Sequence, residues 1–313
     1  MLFLTFYIIS TIVFLLPRLT PVDPKTLLAE NPRIPPAIQQ QIIESFGLTK
    51  PLTEQYKLYF INLFRGNLGY SFIYRDHVTN VLLARLPWTI LLLGTSTTIF
   101  IIFGIILGVF QASKYGSRFD ICALVTSMVV SSFPVFWLAM FLIYLFTFVI
   151  PIFPGFGAIT AGKTFDNPIE MAADIVYHLV LPAAIIVIVN VPRYSFYLRN
   201  IMSDILSEDY IITARAKGLS RRRILFKHGL RNAMLPATTM IAMDFGFMIA
   251  GAVFVETVFS YPGIGYLAYE SIISADYPLM NGIFILLSLT VLIANFIAEA
   301  LYSVLDPRIR RGA

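Results

Sequence analysis

Apolar residues gather into six stretches, at roughly 1–19, 88–111, 119–150, 179–199, 236–256 and 279–303, and the charged residues collect mainly between them. A membrane-crossing helix needs about 20 largely apolar residues, so the pattern predicts six spans. The first is short, because Pro17 and Arg18 follow only sixteen residues. It lacks the basic lead and the small-x-small cleavage site of a secretory signal. The third carries Ser131-Ser132-Phe133-Pro134 at its middle. Proline removes a backbone hydrogen bond and bends a helix, so one kinked or strongly tilted helix is expected there rather than two short segments.

Composition agrees with this reading. Of 313 residues 58% are hydrophobic and 13% charged, with 27 Phe and 16 Tyr. Soluble domains hold roughly 45–50% apolar and about 25% charged residues. The chain is therefore an all-α polytopic membrane protein. Its single cysteine, Cys122, lies within an apolar run, so this chain alone builds neither a disulfide framework nor a thiolate metal site.

The net charge of +5 reports topology, since short loops rich in Lys/Arg stay in the cytoplasm. The segment 200–235 holds seven Lys/Arg against Asp204, Glu208 and Asp209, 112–118 holds Lys114 and Arg118, and the tail holds Arg308, Arg310 and Arg311. The alternate loops are poor in positive charge: 151–178 has only Lys163, and 257–278 has none. Both termini are expected inside the cell. Residues 20–87 carry seven Lys/Arg but exceed the roughly 60-residue length to which the rule applies. This loop contains a helical pattern, PPAIQQQIIESFGL, with Gly47 as its stop, then the aromatic run YKLYFINLFRGNLGYSF. A small folded extracellular cap is expected, giving the division 1–19 first transmembrane helix, 20–87 cap and 88–313 transmembrane core.

The basic stretch RAKGLSRRRILFKHGLRNAMLP, residues 215–236, has seven Lys/Arg and no acid. Locally it predicts two short helices around a turn. Asp209 caps the first, Gly218 closes it, and Ser220 caps the second. A DNA-reading helix-turn-helix shares this pattern, but two flanking spans hold the segment against the membrane, so no nucleic-acid partner is expected. Contact with anionic headgroups explains the charge but not the Gly-Ser turn.

TARAKGLSRRRILFKHGLRNAMLP resembles the cytoplasmic loop of binding-protein-dependent ABC importer permeases in its dipeptide/oligopeptide form. FGLTKPLTEQYKLYFINLFRGNLGYSF, HLVLPA at 178–183, GAVFVETVFSYPGIG at 251–265 and LYSVLDPRIR extend the resemblance in order across nearly the whole chain. The long loop between the first two spans is similar to that of the B-type permease of the family. Against the general EAA-x-x-x-G pattern, Ala214 and Gly218 match and Ile212 stands in the glutamate position.

The resemblance implies a type I ABC importer fold of six transmembrane helices and a coupling segment over Asp209, Tyr210, Thr213, Ala214, Arg215, Ala216, Lys217, Gly218, Leu219 and Ser220. That segment would dock on a cytoplasmic ATPase, with Arg221–Arg223 meeting acidic or lipid groups at the membrane edge. The implied partners are a second homologous permease, two ATPase subunits that carry ATP and Mg²⁺, an extracellular substrate-binding protein and the plasma-membrane bilayer. No cofactor, metal or catalytic residue is expected on this chain. Peptides are the expected cargo, with oligosaccharides, opines and metal chelates also carried within the family.

Other motifs point less far. GAITAGKT, residues 157–164, fits the phosphate-loop formula, but Phe165-Asp166-Asn167-Pro168 cannot continue the helix that such a loop needs. His77, His178 and His228 fall in separate segments, with no HExxH or G-x-S-x-G motif. An ion- or proton-coupled carrier is the rival class, and its paired broken helices are not visible. Polar residues inside spans are costly against lipid. Asp244 and Asn190 are therefore candidate pore-lining positions, the alternative for Asp244 being a pair with Arg193 or Arg199. Asn295 and Glu299, four positions apart, are expected to serve helix packing, and Glu256, before the PGIG turn near the outer surface, is expected to cap or pair there.

Overall fold

The computed structural model describes residues 2–15, 18, 36–45, 47, 49–248 and 253–305. They fold as helices with one short β-hairpin. In chain order these are α1 Leu2–Leu15, α2 Pro36–Ser45, α3 Leu52–Phe64, the hairpin β1 Tyr70–Ser71 and β2 Asp76–His77, and α4 Val78–Ser113. Then follow α5 Arg118–Ser132, α6 Val135–Ile143 with a π-helical continuation Tyr144–Val149, α7 Pro168–Ser207, and α8 Asp209–Ala216. A one-turn α9, Arg221–Arg223, runs through a π-helical Ile224–Leu230 into α10 Arg231–Phe247, and α11 Val253–Val258, α12 Ile264–Ile273 and α13 Tyr277–Leu305 complete the order.

Among the described residues, three helices are long and apolar enough to cross a bilayer: Val78–Ser113, Pro168–Ser207 and Tyr277–Ile297. The third expected span is not the single kinked helix that its pattern suggests: at Pro134 it divides into two helices, α5 and α6 with its continuation, which meet at 94°. Phe133 before the proline is extended, at φ −83° and ψ 137°, as steric conflict with the proline ring requires. The first expected span corresponds to the 14-residue α1 and the fifth to the 17-residue α10. The outer part of the fifth, 249–252, and the basic tail from 306 lie outside the described residues, as does the side chain of Glu299.

Two compact units share the chain. One comprises Met1–Thr89, Ile249–Val253 and Pro262–Ile293. Its core holds Val78, Val81 and Leu82 of α4, Ile264 and Leu267 of α12, and Leu279 and Ile283 of α13. Helices α4 and α13 approach closely at Gly282, where a Cβ would lie 2.4 Å from Val78 Cγ1. The aromatic run of α3 packs on α1: Phe14 meets Tyr56 at 5.2 Å between ring centroids, and Tyr7 meets Phe60 at 5.4 Å. Part of the expected cap thus forms a helix–helix contact with α1. The predicted stop at Gly47 is present, with φ +58° and its N–H donated to Glu44 O.

The other unit comprises Ile90–Met248, Phe254–Tyr261 and Ala294–Ala313. Gly104 and Gly108, spaced GxxxG, let α4 lie directly on α7. A Cβ would fall 2.4 Å from Tyr194 Cβ at Gly104 and 2.7 Å from Leu198 Cβ at Gly108. Such small-residue stripes replace the hydrophobic drive that lipid removes. Val109, Ala112, Leu198, Met202, Ala233 and Ala237 bury the inner contact of α4, α7 and α10.

Candidate functional site

The basic loop follows α7, a 40-residue helix whose N-terminus is fixed by Asn167, whose side chain accepts the Glu170 N–H. With a rise of 1.5 Å per residue, α7 is about 60 Å long, twice the hydrocarbon thickness of about 30 Å. It breaks at Glu208, in extended geometry, and α8 begins at Asp209. The N-cap position therefore belongs to Glu208, which makes no side-chain cap bond, and Asp209 is the first helical residue rather than the cap. At that position its charge still meets the positive end of the helix dipole.

The close of α8 is a Schellman motif. Gly218 takes φ +75°, its N–H reaches Arg215 O at 2.9 Å, and Leu219 N–H reaches Ala214 O at 3.3 Å. These two bonds satisfy carbonyls that a helix end otherwise leaves open, and the left-handed residue favours glycine. Ser220 then caps α9 by accepting the Arg223 N–H. The helix-turn-helix expectation at Gly218 and Ser220 is met in detail.

One face of α8 is fixed and the other is open. Ile211 and Ala214 are buried against Ile224, Leu206 and Leu219. Tyr210, Ile212, Thr213, Arg215, Ala216 and Lys217 are exposed. Ile212, 57% exposed, is an apolar side chain on an otherwise polar surface. Tyr210 is steadied by Asn232, which donates to its hydroxyl at 2.9 Å. The loop is thus a short rigid helix held at the end of a long one, with a mixed apolar and basic face turned outward.

Within the spans, Asp244 of α10 accepts from Tyr194 Oη at 2.6 Å and from Arg193, both on α7. Its pairing with Arg193 is one of the two options the sequence offered. Asp244 is 17% exposed and Arg193 49%, so the pair has one open side. Arg199, the other option, is taken by Asp120: Nε reaches Oδ1 at 2.6 Å and Nη2 reaches Oδ2 at 2.7 Å. Asp120 also accepts the Gly116 N–H, and Tyr115 stacks on the guanidinium at 4.4 Å. This buried bidentate pair ties the first turn of α5 to α7, and no local pattern reveals it because its partners stand 79 positions apart. Asn190, half-buried, turns its amide back to Ile186 O.

A second polar cluster lies in the unit that holds the hairpin. Asp276 is fully buried and accepts from Ser71 Oγ at 2.7 Å, Phe72 N at 2.7 Å, Ile73 N at 3.1 Å and Leu279 N at 3.2 Å. Burial pushes its carboxyl upward, while these donors pull it back. Beside it Tyr74 donates to Glu270. Burial, then that bond, pushes the phenol up to about 12.

The phosphate-loop formula at 157–164 is not realised. Lys163 pairs with Glu170 at 3.0 Å, and Thr160 is held by Asp174 through both its N–H and its hydroxyl. A helix does start nearby, at Pro168, but under the Asn167 cap and not at the lysine. Glu256 is buried, and its carbonyl accepts the Tyr261 N–H at 2.7 Å.

The family described as binding-protein-dependent transport system inner membrane component matches residues 101–311, and its N-terminal counterpart matches 1–93. Bacillus subtilis oligopeptide transport system permease protein AppB is 35% identical, over 96% of this chain and 94% of the relative. Escherichia coli dipeptide transport system permease protein DppB is 35% identical, over 98% and 95%. Among solved structures, the inward-facing MetNI methionine ABC transporter aligns at TM-score 0.56 and 15% identity, covering 73% of this chain and 97% of that one. The fold is that of a type I ABC importer permease. The chain belongs to the family of inner-membrane components of binding-protein-dependent transport systems.

Proposed function

We propose that the chain forms half of the pathway of an ATP-driven importer of peptides and that α8 is its coupling helix. The observation that carries this is the fixed-and-open geometry of Asp209–Ala216: Ile211 and Ala214 anchor it to the end of α7, while Tyr210, Ile212, Thr213 and Lys217 face outward. A helix so held moves with the span it is joined to, so closure of an ATPase pair becomes a tilt of α7. The names of the relatives, permeases for oligopeptides and dipeptides, support the cargo class.

In this reading a second permease completes the pore, two cytoplasmic ATPases hold ATP and Mg²⁺, and a substrate-binding protein delivers cargo from outside. The basic loops and both termini face the cytoplasm. The segment 20–87 faces outward with the 257–278 loop and receives the binding protein. Asp244 and Asn190 stand at the pathway, and this chain carries out no chemistry of its own.

Co-purification tests the assembly. Tagged chain expressed with its operon should bring down two ATPases, and import in proteoliposomes should require ATP and loaded binding protein. Uptake by the isolated chain under an ion gradient alone would replace this reading with a coupled carrier.

A further inference from the structure

In the second unit, the ends of α4 and α7 and the turn after α8 line a half-open cleft of about 590 Å³. This is within the roughly 300–1,000 Å³ range of ligand pockets. Arg215 and Arg221 line it together with Ser113, Ser203 and Ser207, while Leu206 and Leu225 supply an apolar wall. No carboxylate lines it. Each guanidinium gives an N–H to a backbone carbonyl, Arg221 to Ser113 O and Arg215 to Leu206 O. Neither forms an ion pair among the described residues. A guanidinium has five donors, so most of this capacity remains for another acceptor.

Ser113 and Ser207 donate their hydroxyl protons to Phe110 O and Asp204 O, so it is the two cations with spare donors, beside an apolar wall, that call for an anion with a greasy attachment. The cavity lies where two long apolar helices, α4 and α7, end at Ser113 and Ser207. Tyr115, an amphipathic ring of the kind found at membrane–water boundaries, stands on its rim. Basic pockets between spans on the cytoplasmic side suit anionic headgroups. We propose that this cavity binds the phosphate of one anionic phospholipid, with Arg215 and Arg221 as its ligands and an acyl chain along Leu206 and Leu225. Arg215 lies on α8 and Arg221 beyond its turn, so the lipid braces the coupling helix against α4 and α7. The site goes beyond the importer reading, on which it depends only for the leaflet from which the lipid comes.

Native mass spectrometry of the complex, purified in detergent and exposed to phosphatidylglycerol or phosphatidylcholine, provides the test. The full chain alone is measured in parallel, so that failure to assemble is seen separately from failure to bind. Phosphatidylglycerol should be retained at one tightly held copy per chain, and Arg221→Gln should weaken retention by about tenfold. Arg222→Gln should leave it unchanged, because Arg222 lines a separate cavity with Ser220 and Phe226. Equal retention of both lipids, or equal loss in both variants, overturns the proposal. Millimolar inorganic phosphate that occupies the site and excludes the lipid assigns it to free phosphate instead. Absence of lipid together with loss of the ATPases in Arg221→Gln assigns the cavity to the ATPase interface and also overturns it.

Discussion

At Gly218 and at Asp244 the geometry separates what a side chain must do from what it can be asked to do. A Cβ on Gly218 would meet no atom within 4 Å, and the backbone stands at φ +75°, so the cost of substitution is conformational alone. Gly218→Val should strain the turn by about 1 kcal/mol or more, whereas Gly218→Asn should cost less, because asparagine tolerates the left-handed region. We expect both variants to insert, with transport per ATP hydrolysed falling in the order Gly, Asn, Val. Normal coupling in Gly218→Val would remove the turn from the mechanism. At Asp244 two substitutions divide two roles. Tyr194 is fully buried and donates to this carboxylate. Asp244→Ala leaves that hydroxyl without its acceptor, at about 1–3 kcal/mol, and should lower the melting temperature and the uptake of every cargo alike. Asp244→Asn keeps an acceptor for Tyr194 and removes only the charge shared with Arg193. If the carboxylate acts on cargo, this variant assembles normally and loses cationic peptides more than neutral ones; equal uptake of both confines Asp244 to packing.

At the scale of elements, the hairpin between Tyr70 and His77 depends on a residue more than two hundred positions away. Asp276 gathers Ser71, Phe72 and Ile73 while it caps α13 through Leu279. Asp276→Ala deprives four donors of their acceptor, and the hairpin should loosen. Arg75 is exposed at its tip, so trypsin should cut there several-fold faster in the variant, and an unchanged rate of cutting would show that the hairpin holds without Asp276. What could be read in advance follows the range of the interactions. The Gly218–Ser220 turn and the stop at Gly47 depend on residues adjacent in sequence, and each was legible, whereas at Pro134 the sequence showed where the third span is disturbed but not that it divides in two. The angle at Pro134, the cradle around Asp276 and the Arg199–Asp120 pair depend on which helices come together, and no local pattern encodes that. GxxxG at Gly104 and Gly108 stands in the sequence, but its meaning lies in the α7 atoms it meets, Tyr194 Cβ and Val191 O at the first glycine and Leu198 Cβ and Ser195 O at the second.

For the whole molecule, the proposed coupling role of α8 requires its motion to travel through α7, and Arg199–Asp120 is where α7 is held to the first turn of α5, whose Asp120 also accepts from Gly116 in the turn after α4. Asp120 is fully buried, and a buried pair that loses one partner leaves an uncompensated charge, at about 3–5 kcal/mol. Asp120→Asn should therefore lower the melting temperature of the purified chain strongly, and Arg199→Lys less, because a lysine keeps the charge but not the bidentate fork. The double variant Asp120→Asn/Arg199→Gln distinguishes a tie from a transmitter. Neutral partners of similar size remove the stranded charge, so assembly and melting temperature should recover well beyond those of Asp120→Asn. If the pair also makes α7 and the turn after α4 move as one body, transport per ATP stays low in the double variant even though the complex forms. Recovery of transport in step with stability would show that the pair only holds the helices together, and that the displacement of α8 reaches the spans through the packed faces of α7 and α10.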